Sequence, residues 1–250
     1  MFIREDTQTI WQSPPAELSL PRDEVHVWRA RLDQPQRLAE FSATLAPDEQ
    51  ARAARYHFQK DRDHFIAARG LLRLLLSRYL QINPANFSFC YSAFGKPSLA
   101  SHHGADLCFN ISHSHDLALL AFAQGRELGI DLEWIRPEVA GEQIAEHFFS
   151  RGEVATLRAL PERRQTEAFF NCWTRKEAYI KARGEGLSLP LNQFDVSLAP
   201  GEPAALLRAA MSDETARWMM LDLTVGAGYK AALVVEGRGW RLRCLQWLDG

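Results

Sequence analysis

Asp131 and Glu133 stand two residues apart in the run Leu128-Gly129-Ile130-Asp131-Leu132-Glu133-Trp134. In a strand, alternate side chains share a face. Ile130, Leu132 and Trp134 would then turn to the core, and the two carboxylates would point outward together. Two hard oxygen donors on one rigid face suit Mg2+; an ordinary solvated acidic face has the same pattern. A second group, Trp173, Glu177 and Lys181, is spaced by four and shares one face of a helix, with Lys176 beside it. It reads either as a plain Glu–Lys helix pair or as a third carboxylate next to a lysine that neutralises a phosphate. His113, Ser114 and His115 fall where a hairpin turn is expected, directly after Asn110-Ile111-Ser112, and serine and histidine at such a turn can hydrogen-bond an anion. His113 and His115 lack a third ligand, so zinc is poorly supported. Lys60, Arg69, Arg73 and Lys96 are candidate cations in the first half; singly, each reads as a surface charge.

The elements that must position these groups are legible from periodicity. Alternation predicts strands at 25–30, 107–112, 117–122 and 128–134, then near 194–197, 218–225 and 229–235. Pro47 with Asp48 and Glu49 marks a helix start. Helices are expected over 63–80, 141–149 and 166–183, the last stopped by Gly184 and Gly186. The first of the three would bury Ile66, Leu71, Leu74, Leu75 and Tyr79. Gly95-Lys96-Pro97 marks a turn. A shift of about 113 positions lays the helix over 63–80 on the helix over 166–183, and strand 118–122 on strand 231–235. The expected fold is α+β, with two similar lobes and a site in the cleft between them.

Composition narrows the classes. The chain has 250 residues and 46% hydrophobic content, enough for a real core. Its net charge of -2 argues against nucleic-acid binding through the general surface. The four cysteines form no CxxC pair, which fits free thiols in a reducing compartment. Residues 1–7 carry acidic residues and no apolar core, unlike a signal peptide. The longest apolar run, 117–123, is far shorter than the ~20 residues of a membrane span. A cytoplasmic protein is expected.

In order along the chain, GKP at 95–97, FNISHS at 109–114, GIDLE at 129–133 and WTRKEAYIK at 173–181, leading into GEGLSLPL, resemble the Sfp type of 4′-phosphopantetheinyl transferases. The likeness spans about residues 56–235 and rests on the order of several motifs rather than any one. It implies an α+β pseudo-dimer of two lobes, 1–125 on the nucleotide side of coenzyme A and 126–250 carrying the metal ligands, with the site between. It implies transfer of 4′-phosphopantetheine from coenzyme A to a carrier-protein serine. Asp131, Glu133 and Glu177 would hold Mg2+. Lys60, Lys96, Pro97, Ser112 and His113 would hold the nucleotide end, with Arg69 near a phosphate. Lys176 and Lys181 would face the pyrophosphate, Trp173 would pack beneath, and Asp131, Glu177 and Lys181 would be catalytic, Glu177 or a water serving as base. Arg151, Arg158, Arg163 and Arg164 form a basic stretch behind Phe148 and Phe149 that suits an acidic acyl or peptidyl carrier; a monomer is expected, without nucleic-acid or membrane partners. The rival readings are another Mg2+-dependent nucleotide phosphohydrolase and a non-catalytic scaffold for acidic peptides.

Overall fold

The computed structural model describes residues 9–248 except 105 and 212; the lead segment 1–7 lies outside them. The first half runs β1 (Trp11–Gln12), β2 (Glu24–Arg31), α1 (Leu38–Thr44), α2 (Pro47–Ala53), α3 (Gln59–Leu80), β3 (Phe89–Tyr91), β4 (Pro97–Leu99), β5 (Leu107–Ser114) and β6 (Leu117–Gln124). The second continues through β7 (Leu128–Trp134), α4 (Glu142–Phe148), α5 (Arg151–Ala159), α6 (Glu162–Arg183), β8 (Asp195–Val196), β9 (Leu206–Arg208), α7 (Glu214–Arg217), β10 (Trp218–Asp222), β11 (Tyr229–Glu236) and β12 (Arg241–Gln246). The fold is mixed α+β.

Two sheets dominate, ordered β1-β12-β2-β6-β5 and β10-β11-β7. Strand alternation explains how each is covered. On β6, Leu120 and Phe122 face α3, whose Leu71, Leu72, Leu75 and Leu76 complete one core. On β11, Ala232 and Val234 pack with Ala178 and Ile180 of α6 in a second core. The opposite faces of both sheets, with Leu119, Ala121, Ile130, Leu132, Leu233 and Val235, share a third. Each fully buried leucine, isoleucine or valine stabilises the fold by about 1.5–3 kcal/mol before entropy is counted.

Several expectations are corrected. His113 is not in a turn: β5 runs on through Ser114, and the connection to β6 is His115-Asp116, with His115 at a positive φ of 52°. The face of β7 that carries Asp131 does not point to solvent; Asp131 is 3% exposed, because α6 covers that face. The strand expected near 194–197 shrinks to Asp195–Val196. The alternating run of β12 is a strand beyond those expected. It leaves the second half and lies parallel between β1 and β2, Cys244 opposite Val27.

β5 and β7 are the facing edges of the two sheets, and no backbone ladder joins them. Unpaired edge N–H groups that are buried need acceptors. Alternate residues of β5 provide them. Asn110 Oδ1 accepts from Ile130 N at 2.9 Å, Ser112 Oγ from Leu132 N at 3.3 Å and Ser114 Oγ from Trp134 N at 3.0 Å. Side chains here replace a backbone ladder.

Candidate active site

The site forms where that seam meets α6. Gly129 sets the approach: a Cβ there would lie 2.1 Å from Ala178 O and 2.3 Å from Ala182 N. No other residue lets the helix backbone pass so near the strand. Gly184, at φ 71°, then ends α6 in the left-handed region. The result places Glu177 and Lys181 beside Asp131 and Glu133.

Lys181 Nζ donates to Asp131 Oδ1 at 2.6 Å and to Ser112 Oγ at 3.1 Å. Ser112 Oγ in turn donates to Asp131 Oδ1 at 3.1 Å. With Leu132 N–H and Lys181 as donors and Asp131 as acceptor, this hydroxyl uses both lone pairs and its proton. Ser112 is therefore a brace of the seam rather than an open donor for a nucleotide phosphate, the role expected of it. Asp131 Oδ2 is buried and has no hydrogen-bond partner. Ser114 Oγ donates to Glu133 Oε2 at 2.9 Å.

Electrostatics bind the three carboxylates into one group. Burial raises the Glu177 pKa to about 7, and the charges of Asp131 and Glu133 add to that while Lys181 opposes it. Glu133 is likewise raised, first by burial and then by Asp131. Among the described residues no three potential ligands already close on one point. That is the expected state of crowded anions sharing one lysine. The donor set fits a hard divalent cation: oxygen-only, carboxylate-rich, with an orphaned buried oxygen on Asp131.

The other expected residues divide. His113 is exposed, and its pKa is lowered by desolvation first and then by the charges of His64 and Lys181. Lys60 reaches the β5–β6 turn, 3.0 Å from Asp116 Oδ1, which His64 also approaches, while His115 Nδ1 lies 2.9 Å from Asp116 Oδ2. Lys96 Nζ donates to Glu127 at 2.5 Å, Ala182 O at 3.0 Å and Leu128 O at 3.3 Å; it caps the last turn of α6, and Pro97 opens β4 beside it. Trp173 packs edge-on against Phe148, ring centroids 5.5 Å apart, and stacks on Phe169 at 6.2 Å.

Three assignments are corrected. Lys176 does not face the site. It is fully buried, gives hydrogen bonds to Leu191 O and Phe194 O, both at 2.6 Å, and pairs with Glu153 at 2.8 Å. One position before Glu177 means about 100° around the helix, hence another face. Arg69 is buried and spent on Glu49, which also pairs with Arg73 at 2.7 Å, and on Tyr91 Oη at 3.0 Å. Arg158 is exposed but pairs with Glu142 at 2.6 Å and with Glu146, so it adds little free charge. Arg164 donates to Pro200 O; Arg151 and Arg163 are exposed. A cavity of about 470 Å³ opens past Trp134, walled by Arg29, Arg31, His115 and Tyr229; none of the three carboxylates lines it.

Sequence reasoning missed Gly129 and the alternation of Asn110, Ser112 and Ser114. The latter was visible as three small polar residues at i, i+2 and i+4 of an otherwise apolar strand.

Comparison with known proteins comes to the same place. Residues 127–234 match the family model described as the 4′-phosphopantetheinyl transferase superfamily, and 27–125 match that of the 4′-phosphopantetheinyl transferase N-terminal region. The chain is 42% identical over 236 residues to the 4′-phosphopantetheinyl transferase HetI of Nostoc sp. strain PCC 7120, covering 94% of this chain and 97% of that one. It is 31% identical over 193 residues to the 4′-phosphopantetheinyl transferase Sfp of Bacillus subtilis strain 168, covering 77% and 83%. A crystal structure of Thermotoga maritima holo-acyl-carrier-protein synthase aligns over 44% of this chain and 62% of that one at 22% identity with a TM-score of 0.35, too slight a likeness to build on.

Proposed function

The chain belongs to the 4′-phosphopantetheinyl transferase superfamily, and from that premise we propose that it moves the 4′-phosphopantetheine group of coenzyme A onto a serine of an apo acyl or peptidyl carrier protein. The observation that carries the site assignment is the Lys181–Asp131 contact beside Glu133 and Glu177, with Asp131 Oδ2 left unpartnered.

The serine oxygen attacks the β-phosphorus of coenzyme A. A new phosphorus–oxygen bond forms, the pyrophosphate bridge breaks, and adenosine 3′,5′-bisphosphate leaves with the electron pair. Lys181, a third exposed at most, stabilises the charge that grows on the leaving oxygen. Glu177, directly or through a water, accepts the serine proton. His113 and Lys60 line the nucleotide end. Asp131, Glu133 and Glu177 are the residues to hold Mg2+, which when bound offsets the pyrophosphate charge and orients the phosphorus. Trp173 and Phe148 support the helix face that bears Glu177.

The two halves act as lobes of a pseudo-dimer, 1–125 and 126–250, with β12 returned to the first and the site in the cleft between them. In support, each half has a 22-residue helix and the same strand order, β2-β6-β5 and β7-β11-β10. The molecule works as a cytoplasmic monomer, and Arg151 and Arg163 receive the acidic carrier.

Intact-mass measurement of an apo carrier protein incubated with this protein, coenzyme A and Mg2+ tests the reaction. A gain of one phosphopantetheine, lost on adding EDTA, is expected. Asp131→Asn, which keeps the shape but removes the charge, should lower turnover by about 10²-fold or more. A folded protein that modifies no carrier would overturn the reaction; a fully active Asp131→Asn would overturn the site.

A further inference from the structure

The Asn110–Ser112–Ser114 seam does two things with the same atoms. Each rung accepts a backbone N–H of β7, and the two serines also donate to the carboxylates of that strand. The rungs are not equivalent. Ser112 shares Asp131 with Lys181, so that carboxylate has two anchors. Glu133 has no such second side-chain anchor among the described residues: there Ser114 holds it, through Oε2. The Trp134 N–H occupies an acceptor site on Ser114 Oγ at 3.0 Å. A hydroxyl that accepts there directs its single proton elsewhere, here to Glu133. The backbone that positions the hydroxyl is itself held, since the Trp134 ring stacks on His115 at 5.1 Å and meets Tyr229 at 4.8 Å.

We infer that Ser114 is a positioning residue: by holding one oxygen of Glu133, it fixes the plane in which that carboxylate meets a divalent cation. This rests on the divalent site proposed above. A flexible glutamate must lose side-chain freedom when it binds a metal; one already held by a hydroxyl has lost it in advance. The seam thus makes apposition of the sheets and preparation of the ligands a single event. Ser114 touches no reacting atom.

The test uses the full chain and Mn2+ alone, titrated by calorimetry or by electron paramagnetic resonance without coenzyme A or carrier. Ser114→Thr and Ser114→Val have nearly the same shape and differ by the hydroxyl. Ser114→Val should bind Mn2+ about tenfold more weakly than the wild type, and Ser114→Thr within about twofold of it. In a Glu133→Gln background the two should bind alike, since no carboxylate remains to be held. Ser114→Ala provides a second hydroxyl deletion if the valine variant does not fold. Equal affinity of the threonine and hydroxyl-free variants overturns the inference, and so does an undiminished difference between them in Glu133→Gln. Absence of Mn2+ binding by the wild type would remove the divalent site itself; intact wild-type binding with no effect of the hydroxyl removes only the role of Ser114.

Discussion

The two long helices, α3 and α6, have equal length and equivalent places behind their hairpins, yet they use charge in opposite ways. The buried cations of α3, Arg69 and Arg73, converge on the one carboxylate of Glu49, which also accepts from Ala46 N at 2.9 Å. That charge ties α2 to α3. On α6 the division runs within one helix. Arg175 and Lys176 are spent inward, on Asp222 and Glu153, while Glu177 and Lys181 face β7. Of these two helices, only α6 turns a carboxylate and a lysine together toward the acidic strand β7. The difference lies in which helix face meets an acidic strand rather than in helix length or composition. A buried ion pair is a structural commitment; a half-exposed lysine against crowded carboxylates remains available to a ligand.

The contrast between Lys176 and Lys181 gives the largest expected effect. Lys176→Met leaves Glu153, 3% exposed, without its cation and should cost about 3–5 kcal/mol of stability in denaturant unfolding. Lys181→Met should lose turnover first. Because the charge it removes is one that a divalent cation can replace, added Mg2+ should recover melting temperature in Lys181→Met and none in Lys176→Met. Recovery in both would mean that the two lysines are not differently used.

A middle-sized effect concerns pH. Glu177 holds its proton to about pH 7 in the folded protein, against 4.5 for the ordinary carboxyl. Between those values the native state binds more protons than the unfolded one, so stability falls as pH rises through the window and levels off above it. In the metal-free protein, Glu177→Gln should therefore be more stable than the wild type at pH 8, by about 1–3 kcal/mol. The advantage should shrink below pH 7 and vanish near pH 4.5. Melting curves across that range test it, and a difference that does not change with pH would remove the crowded-carboxylate picture.

The smallest effects belong to the surface arginines. Arg158→Glu breaks exposed pairs of little worth and should leave the carrier KM nearly unchanged. Arg163→Glu, which reverses a charge not offset in that way, should raise the carrier KM roughly threefold or more while the KM for coenzyme A holds. Equal responses would place both or neither at the docking surface.

Much of this was legible in the chain. Strict alternation in 128–134 fixed both the strand and the shared face of Asp131 and Glu133, and the spacing of four fixed the Glu177–Lys181 face. What alternation cannot give is the element that covers a face, so the acidic face looks open in the sequence although α6 lies on it. Family order puts Lys176 at the site, whereas helical geometry, about 100° per residue, points it inward. The commitments of Arg69 to Glu49 and of Ser112 to Leu132 N–H depend on contacts between segments far apart in sequence, and no local pattern encodes them. β12 was different: its alternation was present in Arg241-Leu242-Arg243-Cys244-Leu245-Gln246 and went unassigned.

That last strand has a consequence for how the protein comes into being. β2 needs a parallel neighbour that lies about 217 positions further along the chain, as Arg29 and Gln246 record. During synthesis the second helix and its hairpin emerge and can pack while the first sheet still waits with one edge unpaired. An exposed edge of that kind invites pairing with other chains. The half made first is therefore the half finished last, and a fragment released after residue 125 would carry that open edge permanently.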